Sequence, residues 1–293
     1  MSDISAPLLR SVLYVPGSNT RALAKAGTLG ADALILDLED SVAPEAKIAA
    51  RGQTLEALRQ IDHQAVLRTV RINGVQTDLW RDDVTSVLPG GPDAITVPKV
   101  DQVEDLADLT RHLEHLEKDQ SPCPIWAMIE SPLGVLNAFA IARHPRVSCL
   151  VLGTSDLGEA LGVEATPERE SLQYALQHVV LAARAAGVAV VDGVFLNLKD
   201  AEGMQAQCRQ GVRLGFAGKT VIHPHQVIAA NQAFMPSPAA VERARRLVAT
   251  WQEARNRGEE ICVLDGRLVE RLHVRQAQRL LDLAERATAR SPT

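Results

Sequence analysis

Short apolar, β-branched runs recur along the chain at residues 11–15, 33–37, 67–72, 94–97, 125–129, 149–152, 188–191 and 220–222. Longer segments at 19–29, 43–59, 103–118, 134–143 and 167–186 separate them, and several space their apolar residues for one face of a helix. Leu106, Leu109, Leu113 and Leu116 form one such stripe. Alternating strand and helix predicts a parallel sheet, and eight such units predict a closed (β/α)8 TIM barrel. A doubly wound sheet is the alternative, but its first turn would carry a GxGxxG fingerprint. Here that turn reads Pro16-Gly17-Ser18-Asn19.

The pattern changes beyond residue 225. Pro236-Ser237-Pro238 stops the preceding segment, residues 239–258 read as a charged amphipathic helix, and residues 261–264 meet an Asp265-Gly266 turn. A last helix is expected over residues 274–287. The expected organisation is therefore a catalytic barrel over residues 1–225 and a helical extension over 226–293. This extension is expected to pack on the barrel or, as a lid, on a neighbouring subunit.

Composition narrows the chemistry. Lys plus Arg number 31 against 36 acids, a net charge of −5, so no basic surplus exists for a nucleic-acid footprint. The three Trp, two Tyr and four Phe are too few for a base-stacking platform. None of Cys123, Cys149, Cys208 and Cys262 pairs at CxxC spacing, which excludes a zinc ribbon or thioredoxin-type motif. With no secretory h-region or run of 18 apolar residues, the expected location is a reduced cytoplasm.

Polar residues gather where the strands end: Asp37-Leu38-Glu39-Asp40, Arg71, Lys99, Glu130, Asp156, Asp192 and His223. A barrel brings these ends to one rim, where active sites of this fold lie. Glu130 and Asp156 end adjacent strands, and oxygen ligands without paired His or Cys point to Mg2+ rather than Zn2+. Arg71 on the same rim suits a substrate oxygen that gains negative charge during reaction. Other signals carry less. Gly218-Lys219-Thr220 resembles the end of a phosphate loop, but Arg213 stands where the first Gly is required. His112 and His115 are three apart, yet Glu114, Glu117 and Lys118 around them mark a solvated helix face. His223 reads equally as a core or a catalytic residue.

The motifs Arg10-Ser-Val-Leu-Tyr-Val-Pro-Gly17, Asp37-Leu-Glu-Asp40, Val70-Arg-Ile-Asn73, Pro98-Lys99, Gly153-Thr-Ser-Asp156, Gly215-Phe-Ala-Gly-Lys219 and Ile222-His-Pro224 occur in that order. Over residues 8–285 the chain thus resembles the citrate lyase β-subunit-like family of CoA-ester lyases, which includes malyl-CoA and citramalyl-CoA lyases. The resemblance implies a Mg2+-dependent barrel, with Mn2+ as a substitute, assembled as a homotrimer or homohexamer. It implies a Claisen-type C–C lyase acting on a CoA ester and a 2-oxo acid, with no nucleic-acid or membrane partner. Glu130 and Asp156 match the metal ligands. Arg71 matches the arginine that grips the carbonyl and thioester oxygens. The backbone of Gly153, Thr154 and Ser155 would hold the keto-acid carboxylate, and Arg21 and Lys25 the CoA phosphates. Asp37, Glu39 and Asp40 would surround the metal at one remove.

Two departures accompany the resemblance. Glu270 stands where family tails commonly place the Asp given the proton-transfer role, often supplied by a neighbouring subunit. Ser155 replaces an acid beside the metal-binding Asp. The alternatives are a malyl-CoA-type thioesterase, a non-catalytic CoA-ester-binding subunit, and a metal-dependent pyruvate aldolase that uses no CoA.

Overall fold

The computed structural model describes residues 7–118 and 121–290. Its strands are β1 (Ser11–Pro16), β2 (Ala33–Asp37), β3 (Leu67–Arg71), β4 (Ala94–Val97), β5 (Ile125–Ile129), β6 (Val147–Leu152), β7 (Ala189–Asp192) and β8 (Gly218–Val221). They pair in chain order and close as a barrel, β8 returning in parallel to β1. The helices are α1 (Thr20–Ala26), α2 (Lys47–Gln60), α3 (Trp80–Val87), α4 (Ala107–Glu117), α5 (Pro132–Ala142), α6 (Thr154–Leu161), α7 (Gln173–Ala186), α8 (Ala201–Leu214) and α9 (Pro224–Ala233).

Strand periodicity builds two cores. One set of strand residues, including Val12, Ala33, Ile35, Trp126, Met128, Cys149 and Val151, fills the barrel interior. Alternate residues, such as Leu34, Leu36, Val70, Ile95, Ala127 and Leu150, meet the helices in a separate, larger cluster. Leu106, Leu109 and Leu113 are buried in that cluster and Leu116 packs on it, as the stripe predicts. The branched aliphatic fillings explain how so few aromatics suffice.

Two features add to or correct the sequence reading. Gly153-Thr154-Ser155-Asp156, placed at the end of the sixth strand, runs directly into α6, with Gly153 at its N-cap and Asp156 in its first turn. Thr, Ser and Asp suit a first helical turn as well as a loop, so composition alone does not separate the two. The boundary expected at 225 falls instead at Phe234/Met235. α9 packs against β1 and β8, and Ser11 Oγ donates to Asn231 Oδ1 at 2.7 Å, so this helix completes the barrel unit.

The second unit begins at Met235. Within it α10 (Pro238–Asn256) packs on α11 (Arg271–Ala289), with a hairpin of β9 (Cys262–Leu264) and β10 (Arg267–Val269) between them in sequence. Asp265 and Gly266 both have positive φ, 51° and 72°, which suits the tight two-residue turn the sequence announces. Trp251, Val269 and Val274 form its small core. No helix among the described residues is long and apolar enough to cross a membrane.

Candidate active site

The alternation that fills the barrel also places its rim chemistry. Ala33 and Ile35 face the interior, so Asp37, two residues on, does too; Trp126 and Met128 similarly lead to Glu130. Asp37 and Arg71 are register partners across β2 and β3. The Arg71 guanidinium grips Asp37 with both arms of its fork, Nε to Oδ1 at 2.7 Å and Nη2 to Oδ2 at 2.6 Å. Its Nη1 lies 2.9 Å from Glu39 Oε2 and 3.4 Å from Asp40 Oδ2, and its plane sits over the Tyr14 ring at 5.1 Å. Asp37 also accepts the Glu39 and Ser41 backbone N–H groups.

These contacts fix the protonation states. Burial opposes the Asp37 charge, but the Arg71 hydrogen bonds outweigh it and hold the carboxyl below its usual range. Burial likewise opposes the Arg71 charge, and Asp37 more than offsets this, so the guanidinium stays firmly charged. Burial raises Glu39 and Tyr14 above their ordinary values. Asp37, Glu39 and Asp40, expected around a metal, therefore serve chiefly to hold Arg71.

Lys99 joins the two sides of the mouth. Its ammonium pairs with Glu39 Oε1 at 2.8 Å, while its backbone N–H donates to Glu130 Oε1 at 2.6 Å. The backbone there is left-handed, φ 54°, which is uncommon for a residue with a Cβ. Sequence inspection places Lys99 at a strand end but assigns it no role; no side-chain pattern reports a backbone angle.

Glu130 is buried, and its partners do not neutralise it. Burial and then the nearby Asp156 carboxylate push it up to about 7, against the opposing pull of the Lys99 N–H. A Cβ on Gly153 would lie 2.4 Å from Glu130 Cβ and 2.5 Å from Oε2, so only glycine lets β6 approach this closely. The result is two carboxylates in one corner with the nearby cation, Arg71, already engaged. Among the described residues no group of three or more His, Cys, Asp or Glu could hold a metal ion. Two carboxylates are nevertheless what Mg2+ commonly takes from a protein when water and substrate supply the remaining oxygens. The uncompensated pair fits such an ion.

The expected backbone cradle needs one correction. Gly153 N–H donates to Ile129 O at 2.9 Å, within the strand layer, so it is not free for a carboxylate. Thr154 and Ser155 open α6, where N–H groups have no partner inside the helix. Arg21 and Lys25 lie four apart on the exposed side of α1, and no carboxylate pairs with either among the described residues. Glu270 is exposed at the N-cap of α11, its own N–H donating to His273 Nδ1 at 3.0 Å.

The remaining candidates leave the site. His223 caps α9, its Nδ1 accepting the His225 N–H. His112 stands edge-on to Trp80 beside Thr85 rather than with His115. Lys219 is fully buried in an ion pair with Asp192 and cannot cradle a phosphate.

Comparison with known proteins bears on the family and the fold. Residues 10–224 match the family model described as HpcH/HpaI aldolase/citrate lyase. The chain is 45% identical over 280 residues, 96% of both chains, to a (3S)-malyl-CoA thioesterase of Cereibacter sphaeroides. It is 34% identical over 304 residues, again 96% of each, to the L-malyl-CoA/beta-methylmalyl-CoA lyase of that species. The crystal structure of CitE from Mycobacterium tuberculosis with magnesium, acetoacetate and coenzyme A superposes with TM-score 0.77 at 27% identity. That match covers 97% of this chain and all of CitE.

Proposed function

The chain belongs to the HpcH/HpaI aldolase/citrate lyase family, and from that premise we propose that it hydrolyses the thioester of a malyl-CoA-type hydroxyacyl-CoA, with a divalent cation on Glu130 and Asp156. The observation that carries this reading is the buried Glu130 carboxylate beside Asp156, on the same rim as an Arg71 already paired with Asp37. Mg2+, or Mn2+ in its place, would supply Lewis acidity and the charge that offsets the two carboxylates. Hydrolysis comes before C–C cleavage because, of the two named Cereibacter enzymes, the thioesterase is the more similar.

The chain's own residues then divide the work. The N–H groups of Thr154 and Ser155, at the positive end of α6, hold the substrate carboxylate. Arg71, immobilised by Asp37, presents its remaining N–H to the thioester oxygen, where charge develops as the carbonyl is attacked. Because the fork is held in advance, little reorganisation accompanies that charge. The role of taking a proton from the attacking water falls to Glu270, the residue the family resemblance puts in it. In the second reading, cleavage by a Claisen-type route, the same residue takes it from the substrate hydroxyl and Arg71 stabilises the enolate oxygen. Arg21 and Lys25 bind the CoA phosphates, so their replacement raises KM for a CoA ester and leaves any CoA-free aldol reaction unchanged.

A panel of malyl-, methylmalyl-, citramalyl- and citryl-CoA, assayed with Mg2+ for released thiol, tests the reading. The expected result is cation-dependent thiol release from the malyl type. Turnover unaffected by complete chelation would refute the metal role, and saturable binding without turnover under any divalent cation would favour a non-catalytic subunit.

A further inference from the structure

Away from the mouth, three charged side chains lie buried together. Asp192 and Lys219 are 0% exposed, are register partners across β7 and β8, and pair at 3.1 Å. Arg169, in the connection between α6 and α7, is 5% exposed and reaches Asp192 Oδ1 at 2.7 Å from a left-handed backbone, φ 55°. Gln207 and Gln210 of α8 receive Lys219 Nζ and Arg169 Nε, at 3.3 and 2.8 Å. Buried ion clusters of this kind contribute little net stability, because desolvation offsets the attraction. What the cluster holds in place gives it another role.

The cluster grips one residue, Gly193, at both its backbone polar groups. Asp192 Oδ1 accepts the Gly193 N–H at 2.8 Å, and Lys219 Nζ donates to the Gly193 carbonyl. Gly193 in turn is pressed against the start of α6. A Cβ there would lie 2.3 Å from Thr154 Oγ1, 2.7 Å from Thr154 Cγ2 and 2.9 Å from Leu152 O. Two residues after Thr154 comes Asp156, and one residue before it is Gly153, itself in contact with Glu130. Close contacts thus run from the buried ions through Gly193 to Thr154, and the chain itself links Thr154 to Asp156 and, through Gly153, to Glu130.

We infer that Arg169, Asp192 and Lys219 are positioning residues: by holding Gly193 at its N–H and its carbonyl they seat it against Thr154 and so set the turn that carries Asp156 towards Glu130. None of the three touches substrate. The inference rests on the reading of Glu130 and Asp156 as the cation holders.

Binding of Mn2+, followed by the loss of the free-ion paramagnetic resonance signal, tests it without reference to turnover. Gly193→Ala is expected to weaken Mn2+ binding at least tenfold, the scale of outer supports of metal ligands, while the far-ultraviolet spectrum stays that of the wild type. Adding Thr154→Ala, which removes both side-chain atoms in the way, is expected to restore part of that loss. If Gly193→Ala does not fold, the double variant Asp192→Asn/Lys219→Met, which removes one buried charge of each sign, takes the same test with the same threshold. Mn2+ binding within twofold of wild type in the folded variant would overturn the inference and leave the cation reading standing. A wild-type protein that takes up no Mn2+ would overturn both.

Discussion

At the scale of single residues, Arg71 and Glu130 have opposite problems. Arg71 is held by carboxylates on both arms, and breaking a buried pair of this kind typically costs about 3–5 kcal/mol. Arg71→Lys keeps the charge but loses the fork that fits Asp37, so kcat/KM is expected to fall at least ~100-fold in steady-state assays of a variant that still folds. Glu130 lacks positive charge, and its carboxyl is raised to about 7. A carboxyl raised on folding stabilises fully below its unfolded pKa, roughly 4.3, and that contribution is lost as pH rises through the folded value. Metal-free protein should therefore lose stability between these limits, and a divalent cation should replace the missing proton. Thermal melts are expected to show a larger Mg2+-induced rise in Tm at pH 8 than at pH 5.5, and Glu130→Gln should flatten the difference. Equal rises at both pH values would contradict this. Asp37, Arg71 and Glu130 were legible in the sequence because period-two alternation carries inward-facing positions onto the rim. Lys99 was not, since its contribution to Glu130 is a backbone N–H aimed by a left-handed φ.

At the scale of elements, the helices were readable where burial imposes a stripe and obscure where a helix begins on polar residues. α4 shows the first case: Leu106, Leu109 and Leu113 are fully buried against the barrel. Leu109→Ala removes side-chain volume from that layer and is expected to cost about 2–5 kcal/mol in denaturant unfolding, with unchanged KM in the folded fraction. α6 shows the second case. Its first turn is built from Thr154, Ser155 and Asp156, residues equally at home in a loop, and only the close contacts of Gly153 and Gly193 reveal why a helix must start there. In the proposed function this one short segment supplies both a cation ligand and N–H groups for an anion.

At the scale of the whole molecule, closure of eight parallel strands turns residues dispersed between positions 14 and 156 into one mouth. The acid excess of the chain is partly spent there, where Asp37, Glu39 and Asp40 hold Arg71 and the remaining pair, Glu130 and Asp156, is in the proposed reading the seat of a cation. Fold and family were legible as an ordered series of strand-end motifs. The choice between hydrolysis and C–C cleavage was not, because both outcomes draw on one oxygen-stabilising arginine, one cation and one proton carrier. Incubating the protein with malyl-CoA and Mg2+ in water enriched in oxygen-18, and identifying the products by mass, separates them most directly. The account predicts free CoA and malate with one labelled oxygen in the carboxylate released from sulfur; acetyl-CoA and glyoxylate, with no free thiol, would contradict it.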